Sequence, residues 1–404
     1  MQFLESIYRA KNLRTLFLLL RERDYELEML LLNSFHHFKF LRTLILDCPI
    51  KNLPDVVKNL IHLRCLLISE NVRIVELPET FCNLCNLQNL NIENGHCFKK
   101  LPQGMGKLIN LRHLIFHHVY YSGNVVFPKG IGKLIGLRTL REFNLGDKDD
   151  REGCKLGELK KLNKLRGTLK INGMENVVTV DEAQNAQLKE KIHLRGLELL
   201  FETSAFLIEQ KGGMENDVKV LNALEPPPNL QYFKTRAYWG NTIYTNWMMS
   251  WTTLKKLQLI GSENLEHLPS LGQLPFLEVL VIAGLLKVKK VGDEFQGIED
   301  SKNKKDYDII FPNLNSLQFG HLYSWEEWIG MGGTGEEEEE NDNGIVTNPI
   351  IIKIMPRLQS LKIEDCYKLK SLPDYLLTAP SLKELKICRS QVLEERFQRG
   401  TREN

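Results

Sequence analysis

Leu63-Arg64-Cys65-Leu66-Leu67-Ile68, Leu87-Gln88-Asn89-Leu90-Asn91-Ile92 and Leu111-Arg112-His113-Leu114-Ile115-Phe116 are three copies of one pattern, each starting 24 residues after the last. Successive side chains of a strand point to opposite sides, so the fourth and sixth residues of each copy share one face and the residues between them share the other. The apolar pair is bound for a core and the alternates for solvent.

The pattern spreads in both directions. Upstream stand Leu13, Leu16, Leu18 and Leu41, Leu44, Leu46. Downstream it resumes at Leu194, Leu197, Leu199 and continues through Leu230 and Phe233; Leu254, Leu257, Leu259; Leu277, Leu280, Ile282; Leu314, Leu317, Phe319; Leu358, Leu361, Ile363; and Leu382, Leu385, Ile387. Leu137 with Leu140, and the segment from Leu165 to Ile171, are degenerate copies, giving about fourteen units. A period of about 23 to 24 residues lies in the leucine-rich-repeat range. One unit cannot bury its apolar face alone, so neighbours must stack. The expected fold is α/β: a leucine-rich-repeat solenoid over residues 1–404, an arc with a parallel sheet on its concave face and irregular turns or short helices on the convex face.

Leu53-Pro54, Leu77-Pro78, Leu101-Pro102, Phe127-Pro128, Leu268-Pro269 and Leu372-Pro373 follow the strands. Proline lacks an amide donor and fixes its own backbone angle, which suits the convex return. Asn71, Ser262 and Cys366, each ninth from its first leucine, are expected to hydrogen-bond the turn backbone. Thr179-Val180-Asp181-Glu182 has capping-box form and predicts a helix start. Four stretches break the period and are expected outside the stacked core: Asp147 to Lys161, Glu202 to Lys219, Asp300 to Asp308 and Gly330 to Asn348. The last, with Glu336 to Glu340, reads as a flexible Gly/Glu-rich insertion.

Composition narrows the function. With 53 basic and 51 acidic side chains, the net charge of +2 gives no global field for nucleic acid or anionic lipid. No apolar run is long enough to span a membrane. Eight irregularly spaced cysteines and no Asn-x-Ser/Thr sequon favour a cytoplasmic or nuclear setting.

Chemistry-bearing constellations are few. Gly104-Met105-Gly106-Lys107 and Gly130-Ile131-Gly132-Lys133 lack the spacing and hydroxyl of a phosphate loop and recur at one place in successive repeats, so they read as convex turns and no cofactor site is assigned. Cys82 and Cys85, with His96 and Cys97, invite a zinc reading, but they flank a repeat leucine and read as packing, so no metal is assigned. No nucleophile and carboxylate form a triad, and no enzyme activity is expected. The strand alternation makes His113, Ile115 and His117, Tyr232, Lys234 and Arg236, Lys256 and Gln258, Lys362 and Lys386 the candidate protein-binding residues of the concave face. Tyr238, Trp239, Trp247 and Trp251 lie nearby, some of them core; Trp325 and Trp328 read as structural.

Leu271-Gly272-Gln273-Leu274-Pro275-Phe276-Leu277-Glu278-Val279-Leu280, Val288-Lys289-Lys290-Val291-Gly292, Phe311-Pro312-Asn313-Leu314 with Trp325-Glu326-Glu327-Trp328, and Arg166-Gly167-Thr168-Leu169 with Glu175-Asn176-Val177 together resemble the repeat region of plant intracellular disease-resistance proteins of the coiled-coil nucleotide-binding leucine-rich-repeat family. That resemblance implies binding of pathogen effectors or guarded host proteins, and contact with a nucleotide-driven switch domain. Because the phosphate loop is absent, the chain is expected to be a fragment, a truncated product or an adaptor. The alternative is the substrate-binding repeat module of an F-box-type ubiquitin-ligase receptor or another cytosolic scaffold. A repeat strand beginning by Leu13 leaves little room for an F-box.

Overall fold

The computed structural model describes residues 12–19, 32, 34–93, 97–116, 125–201, 214–243, 247–297, 309–329 and 353–400. The chain forms two compact units: Met1–Leu197 with Ala223–Pro227, and Glu198–Asn222 with Pro228–Asn404.

In the first unit, strands β1 (Thr15–Leu19), β2 (Thr43–Asp47), β3 (Cys65–Ile68), β4 (Asn89–Ile92), β5 (His113–Phe116) and β6 (Thr139–Leu140) pair in chain order as a parallel sheet. Their register is strict: Leu16, Leu44, Leu66, Leu90, Leu114 and Leu140 are successive partners. From Leu44 onward these leucines are buried, each contributing roughly 1.5–3 kcal/mol of transfer free energy. Between each of these strands and the next the chain passes through a short 3-10 helix. Pro54, Pro78 and Pro102 stand at the N-caps of Asp55–Asn59, Glu79–Asn83 and Gln103–Lys107, where no amide donor is needed. Strands β7 (Glu142–Asn144) and β8 (Gly167–Asn172) form a further parallel pair, and β9 (Leu194–Leu200) crosses the division between the units.

Side chains tie each repeat to the next. Asn86 Nδ2 donates to the Ile61 carbonyl and Asn110 Nδ2 to that of Cys85, both at 2.8 Å. The Glu79 carboxylate accepts from the Gln103 and Gly104 amides (2.6 and 3.1 Å), and Glu158 accepts from Gly130 and Gly132 (2.9 and 2.8 Å). Both Gly-x-Gly-Lys segments thus sit in convex turns of the stack, as their periodicity predicts. They also explain the glycines. A Cβ on Gly106 would lie 2.6 Å from the Gly130 carbonyl oxygen, and one on Gly132 would run into that of Glu158.

Thr179 Oγ1 caps the helix Val180–Asn185 by accepting from Glu182 N at 3.2 Å, as the capping box predicts. The Glu182 carboxylate accepts from Leu156 N (2.9 Å) in the preceding repeat. This bond corrects one expectation: Asp147 to Lys161 is not wholly outside the core. Its second half is the 3-10 helix Leu156–Lys161, with Leu156 and Leu159 fully buried. The second stretch, Glu202 to Lys219, lies outside the described residues up to residue 213 and ends in the helix Met214–Ala223, whose buried Val220 and Leu221 stand just past it. The remaining breaks, from residue 300 to 308 and 330 to 348, lie outside the described residues.

In the second unit, β10 (Tyr232–Arg236), β11 (Lys256–Ile260), β12 (Val279–Ala283), β15 (Ser316–Gly320), β18 (Ser360–Glu364) and β19 (Glu384–Cys388) pair as a parallel, in-register ladder. Two small pairs join them: β13 (Lys290–Val291) with β16 (Glu327–Trp328), and β14 (Ile309–Ile310) with β17 (Lys353–Ile354). Trp325 and Trp328 are buried against Phe319, with ring centroids 4.7 and 5.2 Å away, which makes them structural. Trp251 and Tyr238 are fully buried and Trp247 nearly so.

Every strand exit of this ladder is left-handed: Ala237, Gly261, Gly284, His321, Asp365 and Arg389 have φ between 52 and 70°. The first five of these amides carry the ladder one bond further, each donating to the last strand residue of the next repeat, as in Ala237 to Ile260 and Asp365 to Cys388. Of the three ninth-position residues, the Cys366 thiol bonds the Glu364 carbonyl as expected. Asn71 departs from expectation and donates to the Asp47 carboxylate (2.6 Å). Ser262 Oγ is buried without a partner among the described residues. At the end of the unit, the charged helix Gln391–Gly400 covers the last repeat with Leu393 buried.

Two tests address this packing. Gly132→Ala should lower stability by about 1–3 kcal/mol in urea denaturation, because backbone must shift to admit one methyl group. Lys191 is fully buried, its Nζ donating to Asn163 Oδ1 (3.0 Å), and burial pushes its pKa down to about 8 from 10.5. Between those values the unfolded chain binds a proton that the folded chain does not, so stability rises with pH there. Relative to Lys191→Met, the wild type should gain stability from pH 8 to 10.5 and show no differential slope below pH 7.

Candidate functional site

The in-register ladder sorts the outward side chains of the second unit into three rows. The first holds Tyr232, Lys256, Val279, Ser316, Ser360 and Glu384; the second Lys234, Gln258, Val281, Gln318, Lys362 and Lys386; the third Arg236, Ile260, Ala283, Gly320, Glu364 and Cys388. The residues between them, from Phe233 and Thr235 to Leu361 and Ile363, are buried. All seven candidate residues of this unit therefore stand on one face, since parallel in-register pairing keeps a side chain and its partner on the same side.

The first rows are internally organised. Tyr232 Oη donates to Gln258 Oε1 at 2.9 Å, and Lys256 Nζ lies 5.5 Å from the centre of the Tyr232 ring, within cation–π range. Lys234 Nζ is 3.8 Å from Glu198. Burial, and then the Glu198 charge, raise the Tyr232 phenol above its usual range, so it stays protonated and available as a donor. Lys362 pairs with Glu364 at 2.6 Å, which with Arg389 holds that carboxylate below its ordinary value. Arg236 and Lys386 make no ion pair among the described residues.

An exposed cluster beside these rows escaped the sequence reading. Asp365, with only 5% of its side chain exposed, faces His321 Nδ1 (3.1 Å) and Arg389 (2.9 Å) and accepts from Tyr367 Oη (3.1 Å). The rings of Tyr323 and Tyr367 stack at 5.6 Å with both largely exposed. Aligning the repeats would have revealed the hub: His321, Asp365 and Arg389 all stand eighth from their first leucines.

In the first unit His113 and Ile115 are half-buried on the sheet face, while His117 lies outside the described residues. His113 Nδ1 is 2.9 Å from Thr139 Oγ1 on the next strand. Burial, then the charges of Arg138 and Arg112, push its imidazole below the ordinary 6.5, so the ring is neutral at pH 7. Cys82 is buried beneath Gly104, with burial pushing its thiol up to about 12, whereas Cys85 is exposed. The two thiols of the Cys-x-x-Cys do not share an environment. Among the described residues, no group of His, Cys, Asp or Glu is placed to hold a metal, and no helix is long and apolar enough to cross a membrane.

What this geometry presents is a ruled, open sheet face on a repeat scaffold. Residues 156–285 match the R13L1/DRL21 leucine-rich-repeat family. An RPP13-like disease-resistance protein of Arabidopsis thaliana is 29% identical over 249 residues, 60% of this chain and 22% of that protein. A second disease-resistance protein of that plant is 36% identical over 242 residues, 58% and 15% respectively. Another, from Solanum bulbocastanum, is 31% identical over 61% of this chain and 26% of its own length. Among solved structures, a leucine-rich-repeat protein of Leptospira interrogans superposes with a TM-score of 0.50 at 18% identity, covering 97% of this chain and 89% of that one. The chain is a leucine-rich-repeat solenoid, and its repeats are similar to those of plant disease-resistance proteins, which supports a protein-binding module. It spans about a quarter or less of the length of these disease-resistance relatives.

An NMR titration should place the His113 midpoint below that of an exposed histidine. Arg138→Gln should move it part of the way back up, since burial is the larger cause.

Proposed function

We propose that this chain is the recognition region of a plant innate-immune protein, binding a pathogen effector or a guarded host protein through its sheet face, and contacting a nucleotide-binding switch domain in a longer form. The observation that carries this reading is the ruled face of the second unit. Tyr232, Lys234, Arg236, Lys256, Gln258, Lys362 and Lys386 project from rigid strands whose opposite sides are locked in the core. Tyrosine and arginine are enriched in interface hot spots, and side chains already held by neighbours lose less entropy on binding. His113, Ile115 and His117 extend the proposal to the first unit. The setting of this function is the cytoplasm, with the nucleus a second compartment.

The support from chemistry is consistent. These side chains offer shape, hydrogen bonds and charge, which is what recognition of a protein surface uses. Proximity labelling of the chain in plant cells, beside a copy with Tyr232, Arg236, Lys362 and Lys386 changed to alanine, tests the reading. A specific protein neighbour should appear with the wild type and vanish with the variant. An unchanged set of neighbours, or chaperones alone, would refute recognition through this face.

A further inference from the structure

The parallel ladder of the second unit ends at β19, whose far side is an open strand edge. Each strand before it is sealed by the next. The Gln359 carbonyl, just before β18, accepts from the Lys383 and Glu384 amides (2.9 Å each), and the Asp365 amide donates to the Cys388 carbonyl (3.0 Å). One repeat on, the Lys383 carbonyl and the Arg389 amide hold these same places, and neither has a partner among the described residues. Arg389 nonetheless keeps the left-handed φ, 52°, that the earlier strand exits share.

The core is open at the same edge. Leu358, Leu361 and Ile363 are fully buried, whereas Leu382, Leu385 and Ile387, which hold the same positions in the last repeat, are half-exposed. The terminal helix leaves this side uncovered: Leu393 is buried, and Arg396 Nη1 reaches back to the Lys370 carbonyl of the preceding repeat (3.4 Å). On the outer side Lys386 stands beside Lys362, whose charge is met by Glu364 at 2.6 Å, and makes no ion pair of its own among the described residues. A strand edge with unpaired backbone groups is a template for a further strand.

We propose that the β19 edge is a docking site for an extended segment of a partner protein, added as one more parallel strand with apolar residues at two alternate positions and a carboxylate between them. In the register of every earlier pair, the two apolar side chains continue the columns of Leu385 and Ile387, and the carboxylate lies beside Lys386 on the outer side. The segment's backbone meets the Lys383 carbonyl and the Arg389 amide, so main-chain bonds hold it and the alternate side chains select it. A second copy of this chain matches the edge poorly. Two β19 edges paired about a two-fold axis run antiparallel and, centred on the strand, set Lys386 against Lys386; β1 in the same register sets Phe17 there. The site shares Lys386 with the sheet-face reading above and does not rest on it.

The test uses the full chain and a fluorescein-labelled peptide built around Leu-Glu-Ile, followed by anisotropy. The peptide should bind. N-methylation of the residue before its leucine, which removes the amide that meets the Lys383 carbonyl, should weaken binding about tenfold. Lys386→Glu should weaken it about fivefold, and a peptide built around Leu-Lys-Ile should recover the loss on that variant. Tyr232→Ala with Arg236→Ala should leave peptide binding as it was, so failure at the edge and failure of sheet-face recognition are read separately. The proposal is overturned by absence of binding, by equal binding of the N-methylated peptide, or by failure of the charge exchange to restore binding. Concentration-dependent self-association of the chain that the peptide reverses would also overturn it, by assigning the edge to a second copy.

Discussion

Everything here depends on the pairing of one short strand with an identical neighbour in strict parallel register. A strand of four or five residues buries only two side chains on its inner face and is unstable alone. Stacked, each leucine pair closes the cavity left by the pair before it. Leu44, Leu66, Leu90 and Leu114 in the first unit, and Leu257, Leu280, Leu317 and Leu361 in the second, form continuous buried columns. Aromatic rings reinforce them, as in the run Phe98, Phe116, Phe127 and Phe143 with centroids 5.7 to 6.1 Å apart.

The same register divides the labour between the two sides of each strand. Inward positions are constrained by volume and are nearly all leucine, isoleucine or phenylalanine. Outward positions bear almost no packing constraint, so tyrosine, lysine, asparagine, histidine and valine all occur there. The convex returns carry constraints of another kind: close backbone approach at Gly106 and Gly132, and carboxylates such as Glu79, Glu158 and Glu182 reaching the amides of an adjacent turn.

Much of this was legible in the sequence, for a physical reason. A period-two alternation inside a 24-residue period reports strand, face and stacking together, so the strands and the residues of their open face followed from counting. The convex segments resisted. Leu156–Lys161 reads as an interruption in the sequence because its two core leucines stand in a polar, lysine-rich context, and only the stack shows that they are buried. The position of Asn71 predicts a bond to the turn backbone, which an amide can reach, yet an aspartate on the neighbouring strand is the stronger acceptor. The Asp365 hub was missed because its members lie far apart in sequence and meet only when repeats are superposed position by position.

The left-handed strand exits have a consequence for how such a surface changes. Because Ala237, His321, Asp365 and Arg389 adopt that conformation beside Gly261 and Gly284, the turn is held by its ladder bonds and not by residue type. Each rung is then interchangeable. Gain or loss of one unit would slide every later side chain along the face by one strand spacing, leaving each local geometry intact. Such a face is a graduated ruler, and adding or removing whole marks would change its reach.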